Sequence, residues 1–217
     1  MNKSFLLSIL IPTYNRPDYL DDCLYSLLKQ DYEGYEIIVK DNHSDTVEAY
    51  TRVIEKYQQL FNNKAEIRYI RNKKNLGVVV SKHEGVEKDC KGKYCLIHDD
   101  DDFYLNNKML SMYVDKLNTI KDLSVVTSNS TDFFVSDNKI SIKSIIDKNT
   151  ERSIIGTSKI VDGDQYFLNF WSKYDPKVPN VTMFDRELAL QRGWQNFECN
   201  DQSVLLLLVL GKKILLF

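Results

Sequence analysis

The sequence predicts an α/β protein with a doubly wound, mostly parallel sheet flanked by helices. Apolar runs of strand length alternate with segments of helical periodicity through residues 1–105, which is the pattern of consecutive βα units. The first strand run is apolar along its length, as expected for a strand buried on both faces. A chain of 217 residues, 43% of them hydrophobic, is long enough to bury one sizeable core.

The first βα unit is the clearest. A continuous apolar run predicts a strand over Phe5–Pro12. The polar loop after it ends at Pro17, whose fixed φ suits the first turn of a helix. From Asp18 apolar residues recur at helical spacing until the Asp31–Gly34 turn.

The same alternation then repeats. The predicted strands are Glu36–Lys40, Glu66–Ile70 and the run that ends at Asp99, and the helices between them are Val47–Phe61 and Val78–Asp89. Because the carboxyl ends of parallel strands meet at one edge of a sheet, we expect the loops at 12–17, 41–46 and 99–103 to lie together there.

The second half of the chain is less regular. We expect a mobile loop over the polar, unpatterned Lys148–Gly163, and continuation of the natural protein beyond its apolar last residue, Phe217. The other predicted elements are a helix Asn106–Ile120, a strand Leu123–Asn129, an antiparallel pair within Phe133–Ile145, a short helix Asp164–Trp171, helices Arg186–Arg192 and Gln202–Leu210, and a strand Lys212–Phe217.

Composition excludes several classes of function. A formal net charge of −2 with interspersed Lys and Asp gives no support for nucleic-acid binding. The cysteines lack zinc spacing and sit among apolar residues, so we expect buried free thiols at Cys23, Cys90, Cys95 and Cys199. No signal peptide is apparent, and Val204–Leu210 is too short to span a bilayer. We therefore expect a cytoplasmic protein, with at most peripheral contact at the inner face of the membrane.

Four consecutive acids, Asp99–Asp102, close the fourth predicted strand. Adjacent carboxylates repel one another, so folding this run requires a compensating cation or hydrogen-bond donors. Oxygen ligands without His or Cys suit a hard ion such as Mg²⁺ or Mn²⁺. A solvated acidic turn is the alternative. An EF-hand loop starting at Asp99 is excluded, because Tyr104 and Leu110 stand where Gly and Glu are needed. An Asp nucleophile of the phosphatase type is chemically possible, but no other residue points to it.

With its loops placed, the chain resembles the family-2 nucleotide-sugar glycosyltransferases of the GT-A fold. Several blocks carry the resemblance in order: Ser8–Arg16 (Ser-Ile-Leu-Ile-Pro-Thr-Tyr-Asn-Arg), Glu36–Asp45, Asn75–Gly77 with Gly85, the Asp-x-Asp-like Leu96–Asp102, and then Phe184–Glu187, Gly193-Trp194, Asp201 and Gly211–Ile214. The resemblance covers nearly the whole chain. It implies a nucleotide-sugar-binding half at 1–105 and an acceptor-binding half at 106–217 of one GT-A domain.

The resemblance also implies roles for individual residues. Tyr14 would stack on the nucleotide base and Asp41 would hydrogen-bond the edge of that base. Asp100 would face the ribose, and Asp101 would bind the metal with support from Asp99 and Asp102. The other residues expected to contact the donor are Pro12, Thr13, Arg16, Lys82 and Asp99. Tyr14 could instead be a loop aromatic covering the sheet edge, and Asp41 a turn-forming Asx residue.

Two departures from the family pattern affect the chemistry. Ser81-Lys82-His83 stands where many members carry Ala-Arg-Asn, so Lys82 keeps the charge but not the bidentate fork. The Glu-Asp base motif appears as Asn200-Asp201, which makes Asp201 the expected catalytic base and Glu198 the fallback. Helix capping is the alternative for Asp201.

The acidic run and the resemblance together predict a metal-dependent glycosyltransferase with Mn²⁺ or Mg²⁺ as cofactor, and the resemblance implies inversion. It also implies a UDP-sugar as donor, with dTDP- and GDP-sugars as the alternatives, and a hydroxyl of a glycan or lipid-linked acceptor as target, in surface polysaccharide synthesis. A non-catalytic nucleotide-sugar or glycan-binding domain with a vestigial site is the first alternative. A sugar nucleotidyltransferase is the second, although the loop Pro12–Pro17 contains none of the glycines such an enzyme needs.

Overall fold

The computed structural model describes residues 5–128, 131–136, 139–144, 159–164, 182–194 and 208–216. The elements in chain order are β1 (Leu7–Thr13), α1 (Pro17–Leu28), β2 (Tyr35–Asp41), α2 (Val47–Phe61), β3 (Ala65–Arg71), α3 (Val78–Glu84) with a π-helical turn (Gly85–Asp89), β4 (Tyr94–Ile97), α4 (Met109–Thr119), β5 (Leu123–Thr127), β6 (Thr131–Ser136), β7 (Lys139–Ser144), β8 (Lys159–Asp162), β9 (Thr182–Asp185), α5 (Arg186–Gln191) and β10 (Lys213–Leu216).

One large sheet organises these elements, with its eight strands in the order β3-β2-β1-β4-β9-β5-β10-β8. The first four strands of the chain pair in parallel, as do β5 and β10. The strands β9 and β8 run antiparallel to their neighbours, which makes the second half of the sheet mixed. The predicted doubly wound α/β class is confirmed.

The two faces of the sheet bury separate apolar clusters. Ile9 and Ile11 belong to the cluster covered by α1, α2 and α4. Leu10, between them in β1, belongs to the other cluster, which includes Val86 of the π-helical turn and Ala189 of α5. Because successive side chains of a strand point to opposite faces, an unbroken apolar run is what a strand covered on both sides requires.

The sequence predicted most elements of the first half. Helix α2 has the predicted bounds, and the predicted antiparallel pair is the hairpin β6–β7. The helix predicted over Val78–Asp89 changes to a π-helical turn after Glu84. The loop predicted over Lys148–Gly163 is wrong for Lys159–Asp162, which forms β8. Its residues 148–158, most of the predicted helix Asp164–Trp171, and residues 202–207 of another lie outside the described residues.

Strand β9 was not predicted from the sequence. This strand has only four residues, Thr182–Asp185, too few for a periodic pattern to identify. It pairs with β4 on one side and with β5 on the other. Its conformation is therefore set by partners distant in sequence rather than by local preference.

The loops after β1, β2 and β4 meet at the carboxyl edge of the sheet, as predicted. Asn42 N donates to Thr13 O over 2.9 Å, and His98 N donates to Leu10 O over 3.0 Å. Within the described ranges, no helix is long and apolar enough to cross a membrane.

Candidate active site

A chain of hydrogen bonds connects the first loop to the acidic run. Arg16 N donates to Tyr50 Oη over 2.8 Å, and Tyr50 Oη lies 2.8 Å from Thr13 Oγ1. Thr13 Oγ1 donates in turn to Asp100 Oδ2 over 2.6 Å. Since Thr13 donates its single proton to Asp100, Tyr50 donates to Thr13. The loop after β1 is thus fixed relative to the end of β4.

Arg16 bridges two carboxylates of the acidic run. Its Nη2 lies 2.8 Å from Asp100 Oδ1 and its Nη1 lies 2.7 Å from Asp101 Oδ2. The Asp100 side chain is fully buried, whereas the side chains of Arg16 and Asp101 are 44% and 45% exposed. Partial burial works against the charge on Arg16, but the charges of Asp100 and Asp101 outweigh it and raise the arginine pKa.

Lys82 neutralises a third acid. Its Nζ lies 3.0 Å from Asp99 Oδ1, and the lysine side chain is only 7% exposed. Lys82 belongs to α3, and the chain leading into that helix is held by Asn42, whose Oδ1 accepts from Leu76 N over 2.9 Å. The lysine that replaces the family's arginine therefore points at the acidic run.

Two carboxylates of the acidic run, Asp100 and Asp102, have raised pKa values. Burial raises the pKa of Asp100 to about 6, and the hydrogen bond from Thr13 and the charge of Arg16 only partly oppose it. Burial also raises the pKa of Asp102 to about 6, and the charges of Asp99 and Asp101 add to the effect. The site has more negative charge than its own cations neutralise, so it favours the binding of a further cation.

The residue types in the site fit a hard divalent ion, but the arrangement is not yet that of a metal centre. Carboxylate oxygens are the ligands that Mg²⁺ and Mn²⁺ prefer. In the part of the chain that the structure describes, however, no three His, Cys, Asp or Glu side chains are grouped to hold a metal. Arg16 and Lys82 instead pair with Asp99, Asp100 and Asp101.

Asp41 is fully buried, and both of its carboxylate oxygens accept hydrogen bonds. Oδ1 accepts from Ser44 N over 2.9 Å and from Ser44 Oγ over 2.6 Å. Oδ2 accepts from Tyr69 Oη over 2.6 Å and lies 3.4 Å from Arg71 Nε. The contacts to Ser44 match the turn-forming Asx alternative, and the carboxylate shapes the loop whose Ser44 and Asp45 contact Asn15.

Asn15 connects the first two loops. Its Nδ2 donates to Asp45 Oδ2 over 3.0 Å, and its Oδ1 accepts from Asp45 N over 2.8 Å. Asn15 has a φ of 54°, in the left-handed region that Asn tolerates better than most residues. Asn15 lies between Tyr14 and Arg16, so its conformation sets the direction of the chain on both sides. Tyr14 is 42% exposed at the sheet edge and is therefore accessible to a planar ligand.

The structure brings most of the predicted site residues together at one edge. Pro12 differs from the other predicted site residues because it is buried within β1, where it pairs with Lys40 of β2. Asp201 and Glu198 lie outside the described residues, so their predicted role stays a prediction. Of the cysteines, Cys23, Cys90 and Cys95 are buried free thiols as expected, and Cys199 is outside the described residues.

Sequence reasoning missed three aromatic residues of the site. Tyr50 and Tyr69 stack with ring centroids 6.0 Å apart, and their hydroxyls contact Thr13 and Asp41. His98 is fully buried against Tyr104, and neither of its ring nitrogens has a hydrogen-bond partner among the described residues. Tyr50 falls on the apolar face of α2, where periodicity indicates only packing, so its polar contact left no signal in the sequence.

Comparison with protein families gives one extensive match. A family model described as "Glycosyl transferase family 2" matches residues 8–171. Glycosyltransferase GlyG of Streptococcus pneumoniae serotype 4 is 29% identical over 145 residues, which cover 62% of this chain and 42% of GlyG. Poly(ribitol-phosphate) beta-glucosyltransferase of Bacillus spizizenii is 31% identical over 109 residues, which cover 49% of this chain and 16% of that protein. The chain spans less than half the length of these curated relatives.

Solved structures share the fold. S. aureus TarS 1-349 in complex with UDP-GlcNAc matches 97% of this chain and 55% of its own, with a TM-score of 0.66 and 18% identity. Mannosyltransferase PcManGT from Pyrobaculum calidifontis, in complex with GDP-Man and Mn²⁺, matches 100% of this chain and 57% of its own, with a TM-score of 0.65 and 14% identity. At these identities the likeness confirms the predicted GT-A type of α/β fold.

Proposed function

Because the chain belongs to glycosyl transferase family 2, we propose that it transfers a sugar from a nucleoside-diphosphate donor to an acceptor hydroxyl, with inversion at the anomeric carbon. The observation that carries this proposal is the acidic run Asp99–Asp102 at the sheet edge, paired with Arg16 and Lys82 beside the exposed ring of Tyr14. A nucleoside diphosphate needs an aromatic face for its base and cations for its phosphates, and this edge offers both.

The donor is held by the first half of the chain. Tyr14 stacks on the base, with Pro12 and Thr13 forming the floor of the loop that carries it. Asp41 is close to saturated with donors from Ser44 and Tyr69, so a base contact with Asp41 has to replace the longest of its contacts, the 3.4 Å one to Arg71. We propose a UDP-sugar as donor; a protein of the same fold was solved with UDP-GlcNAc.

Asp101 would hold a divalent ion, with Asp99 and Asp102 in support and Asp100 directed to the ribose. The chemistry supplied there would be Lewis-acid stabilisation of the negative charge on a departing diphosphate. Lys82 adds a positive charge close to the same group from α3. The raised pKa values of Asp100 and Asp102, caused mainly by burial and also by the neighbouring carboxylates, favour a cation here. A protein of the same fold was solved with Mn²⁺.

A carboxylate in the second half takes the proton from the acceptor hydroxyl as it attacks the sugar. We propose Asp201 for this role and Glu198 as the fallback. The acceptor is a hydroxyl of a glycan or lipid-linked glycan in the synthesis of a surface polymer. The poly(ribitol-phosphate) beta-glucosyltransferase among the relatives supports this acceptor class.

A nucleotide-stability experiment tests the donor and the metal together. Thermal unfolding is measured with UDP, GDP and dTDP, each with and without Mn²⁺. We expect UDP with Mn²⁺ to give the largest rise in melting temperature, because a ligand that binds only the folded state stabilises it by about 2.7 kcal/mol at a hundredfold excess over its Kd. No rise with any nucleotide and metal contradicts the proposal.

An assay of UDP release from UDP-sugars distinguishes the proposed enzyme from a non-catalytic binding domain. A vestigial binding domain would show the same thermal shifts but no metal-dependent release of UDP from UDP-sugars. An active transferase releases UDP slowly to water and faster in the presence of an acceptor glycan. The intact acidic run favours the active enzyme, because four adjacent carboxylates with only two cations beside them repel one another and are costly to a fold that has no use for them.

A further inference from the structure

The contacts of Arg16 conflict with a metal at Asp101. The Nη1 atom of Arg16 lies 2.7 Å from Asp101 Oδ2, one of the two oxygens with which Asp101 would bind the proposed metal. We propose that Arg16 is an internal counter-cation of this centre: its guanidinium neutralises Asp100 and Asp101 in the ligand-free protein and leaves Asp101 when a divalent ion binds there. This inference rests on the proposed function, since it assumes that the acidic run takes a divalent ion.

The two contacts of Arg16 differ in strength. Asp100 is fully buried and its Oδ2 accepts from Thr13, whereas its Oδ1 meets the guanidinium as an ion pair at 2.8 Å without hydrogen-bond geometry. Burial shields this ion pair from water. Asp101 is 45% exposed, and a single exposed ion pair contributes only about 0–1 kcal/mol. The contact to Asp101 is therefore the one that breaks first.

Charge repulsion makes the two cations exclusive at Asp101. A divalent ion and a guanidinium on the same carboxylate would lie within about 4 Å of each other, where like charges repel strongly near a protein surface. The main chain of Arg16 is fixed by the hydrogen bond from its N to Tyr50 Oη. The displacement is accordingly a rotation of the side chain about the fixed main chain, with the Asp100 contact as its pivot.

Lys82 is not a second competitor of this kind. Its side chain is only 7% exposed, and its ammonium pairs with Asp99 rather than Asp101. An ammonium is a point charge without the planar fork that lets Arg16 hold two carboxylates at once. We therefore infer that Arg16, and not Lys82, competes with the metal for Asp101. Lys82 stays paired with Asp99, close to where the diphosphate would bind.

The arrangement couples metal binding to donor binding. Without a nucleotide the displaced guanidinium loses an anionic partner, which lowers the affinity for the metal. A bound diphosphate offers that guanidinium a new anion, so metal and donor each strengthen the binding of the other. Removal of the guanidinium should raise the affinity for the metal alone and reduce this coupling.

The test is a calorimetric titration of Mn²⁺ into the wild-type chain, Arg16→Gln and Arg16→Lys, without nucleotide and then with saturating UDP. We expect Arg16→Gln to bind Mn²⁺ alone more tightly than wild type by up to about fivefold, the equivalent of the exposed ion pair at Asp101 that the metal no longer has to displace. Arg16→Lys keeps the charge but not the fork, and should fall between the two. Arg52→Gln, which removes an equal charge from the exposed side of α2, is the matched control and should differ from wild type by less than about twofold.

The outcomes separate this inference from the function on which it rests. Equal or weaker Mn²⁺ binding by both folded Arg16 variants overturns the counter-cation role while the metal centre stands. An increase of the same size in Arg52→Gln also overturns it, because the effect would then be one of net charge. If no variant binds Mn²⁺ even with UDP, the metal centre itself is refuted, and the counter-cation role with it.

Discussion

The hydroxyl of Tyr69 donates to Asp41 Oδ2 over 2.6 Å, across the carboxyl ends of β2 and β3. Asp41 is fully buried, so this contact is shielded from water. A hydrogen bond to a buried carboxylate is stronger than one between neutral groups, and its loss leaves a charge partly unpaired. The pair therefore contributes to stability whether or not Asp41 contacts a nucleotide.

Tyr69→Phe should lower the free energy of unfolding by about 1.5–3 kcal/mol at neutral pH, because it removes a hydrogen bond to a charged group. Chemical denaturation followed by circular dichroism measures the change. Tyr25→Phe, on the exposed side of α1, is the control and should be neutral. A Tyr69→Phe protein as stable as wild type would mean that Asp41 finds another donor.

The same pair predicts a pH dependence. Burial, then the hydrogen bond to Asp41 and the charge of Asp41, raise the pKa of Tyr69 above its ordinary value. An unfolded tyrosine ionises near pH ~10, so below that pH both states keep the proton and the stabilisation is complete. As the pH rises above this value, the unfolded state loses protons that the folded state keeps, which favours unfolding. The stability advantage of wild type over Tyr69→Phe should therefore shrink from pH 10 upwards, and a constant difference would contradict the shift.

The role of Asp41 can be separated from its structural contacts. Asp41→Ala should weaken UDP binding by about 1.5–3 kcal/mol if the carboxylate contacts the base, and it should also destabilise the loop it holds. Ser44→Ala removes one donor to the same carboxylate, the 2.6 Å bond from Ser44 Oγ, and also the oxygen that accepts from Asn15 N over 2.9 Å, so it perturbs the same loops without removing the carboxylate. Isothermal titration of both variants with UDP compares them below their melting temperatures. Equal losses of affinity would assign Asp41 to loop structure alone.

Asp101→Asn should abolish the part of the UDP-induced thermal stabilisation that depends on Mn²⁺ while leaving the fold intact. The side chain is 45% exposed, so its replacement by an amide costs little stability. The amide cannot supply the anionic oxygen that a hard divalent ion requires. Asp115→Asn is the control: it removes a carboxylate of α4 that is also exposed, at 57%. This variant should keep the full metal-dependent shift in melting temperature. A full shift in Asp101→Asn would rule out Asp101 as a ligand.

The sequence predicted those parts of the fold that have a strong local pattern. Helix α2 was predicted with its observed bounds because 15 residues give its amphipathic period several turns to repeat. The meeting of three loops at one edge followed from parallel pairing alone. The strand β9 could not be predicted, since its four residues are defined by pairing with β4 and β5.

The contacts within the site were harder to predict than its location. The acidic run indicated a cation, but its first partners in the structure are Arg16 and Lys82 of this chain. A side chain 85 residues away in sequence carries no local signal of such a contact. The positions of Tyr50 and Tyr69 in the sequence indicate only packing, so the hydrogen bonds of their hydroxyls with Thr13 and Asp41 could not be predicted. Residue type predicted the chemistry of the edge, while the pairing within it required the fold.

The final prediction concerns the catalytic base. Asp201 stands before the apolar run Val204–Leu210, where it could either cap a helix or face an acceptor. A capping carboxylate accepts main-chain N–H groups, which stabilises its anionic form and lowers its basicity. The neighbouring Asn200 can cap equally well, which leaves Asp201 free for proton transfer. Asp201 and Glu198 differ by three positions, so each can be tested without removing the other.

Asp201→Asn keeps the shape and much of the capping ability of the residue. If Asp201 is the base, turnover should fall by about 10²–10⁴ while UDP affinity stays nearly unchanged. If Asp201 only caps, the loss should instead appear in the free energy of unfolding, at most about 0.5–2 kcal/mol. Glu198→Gln is the paired variant, assayed for initial rate at saturating donor and for melting temperature. Turnover of Asp201→Asn within a few fold of wild type, together with a large loss in Glu198→Gln, would transfer the role to Glu198.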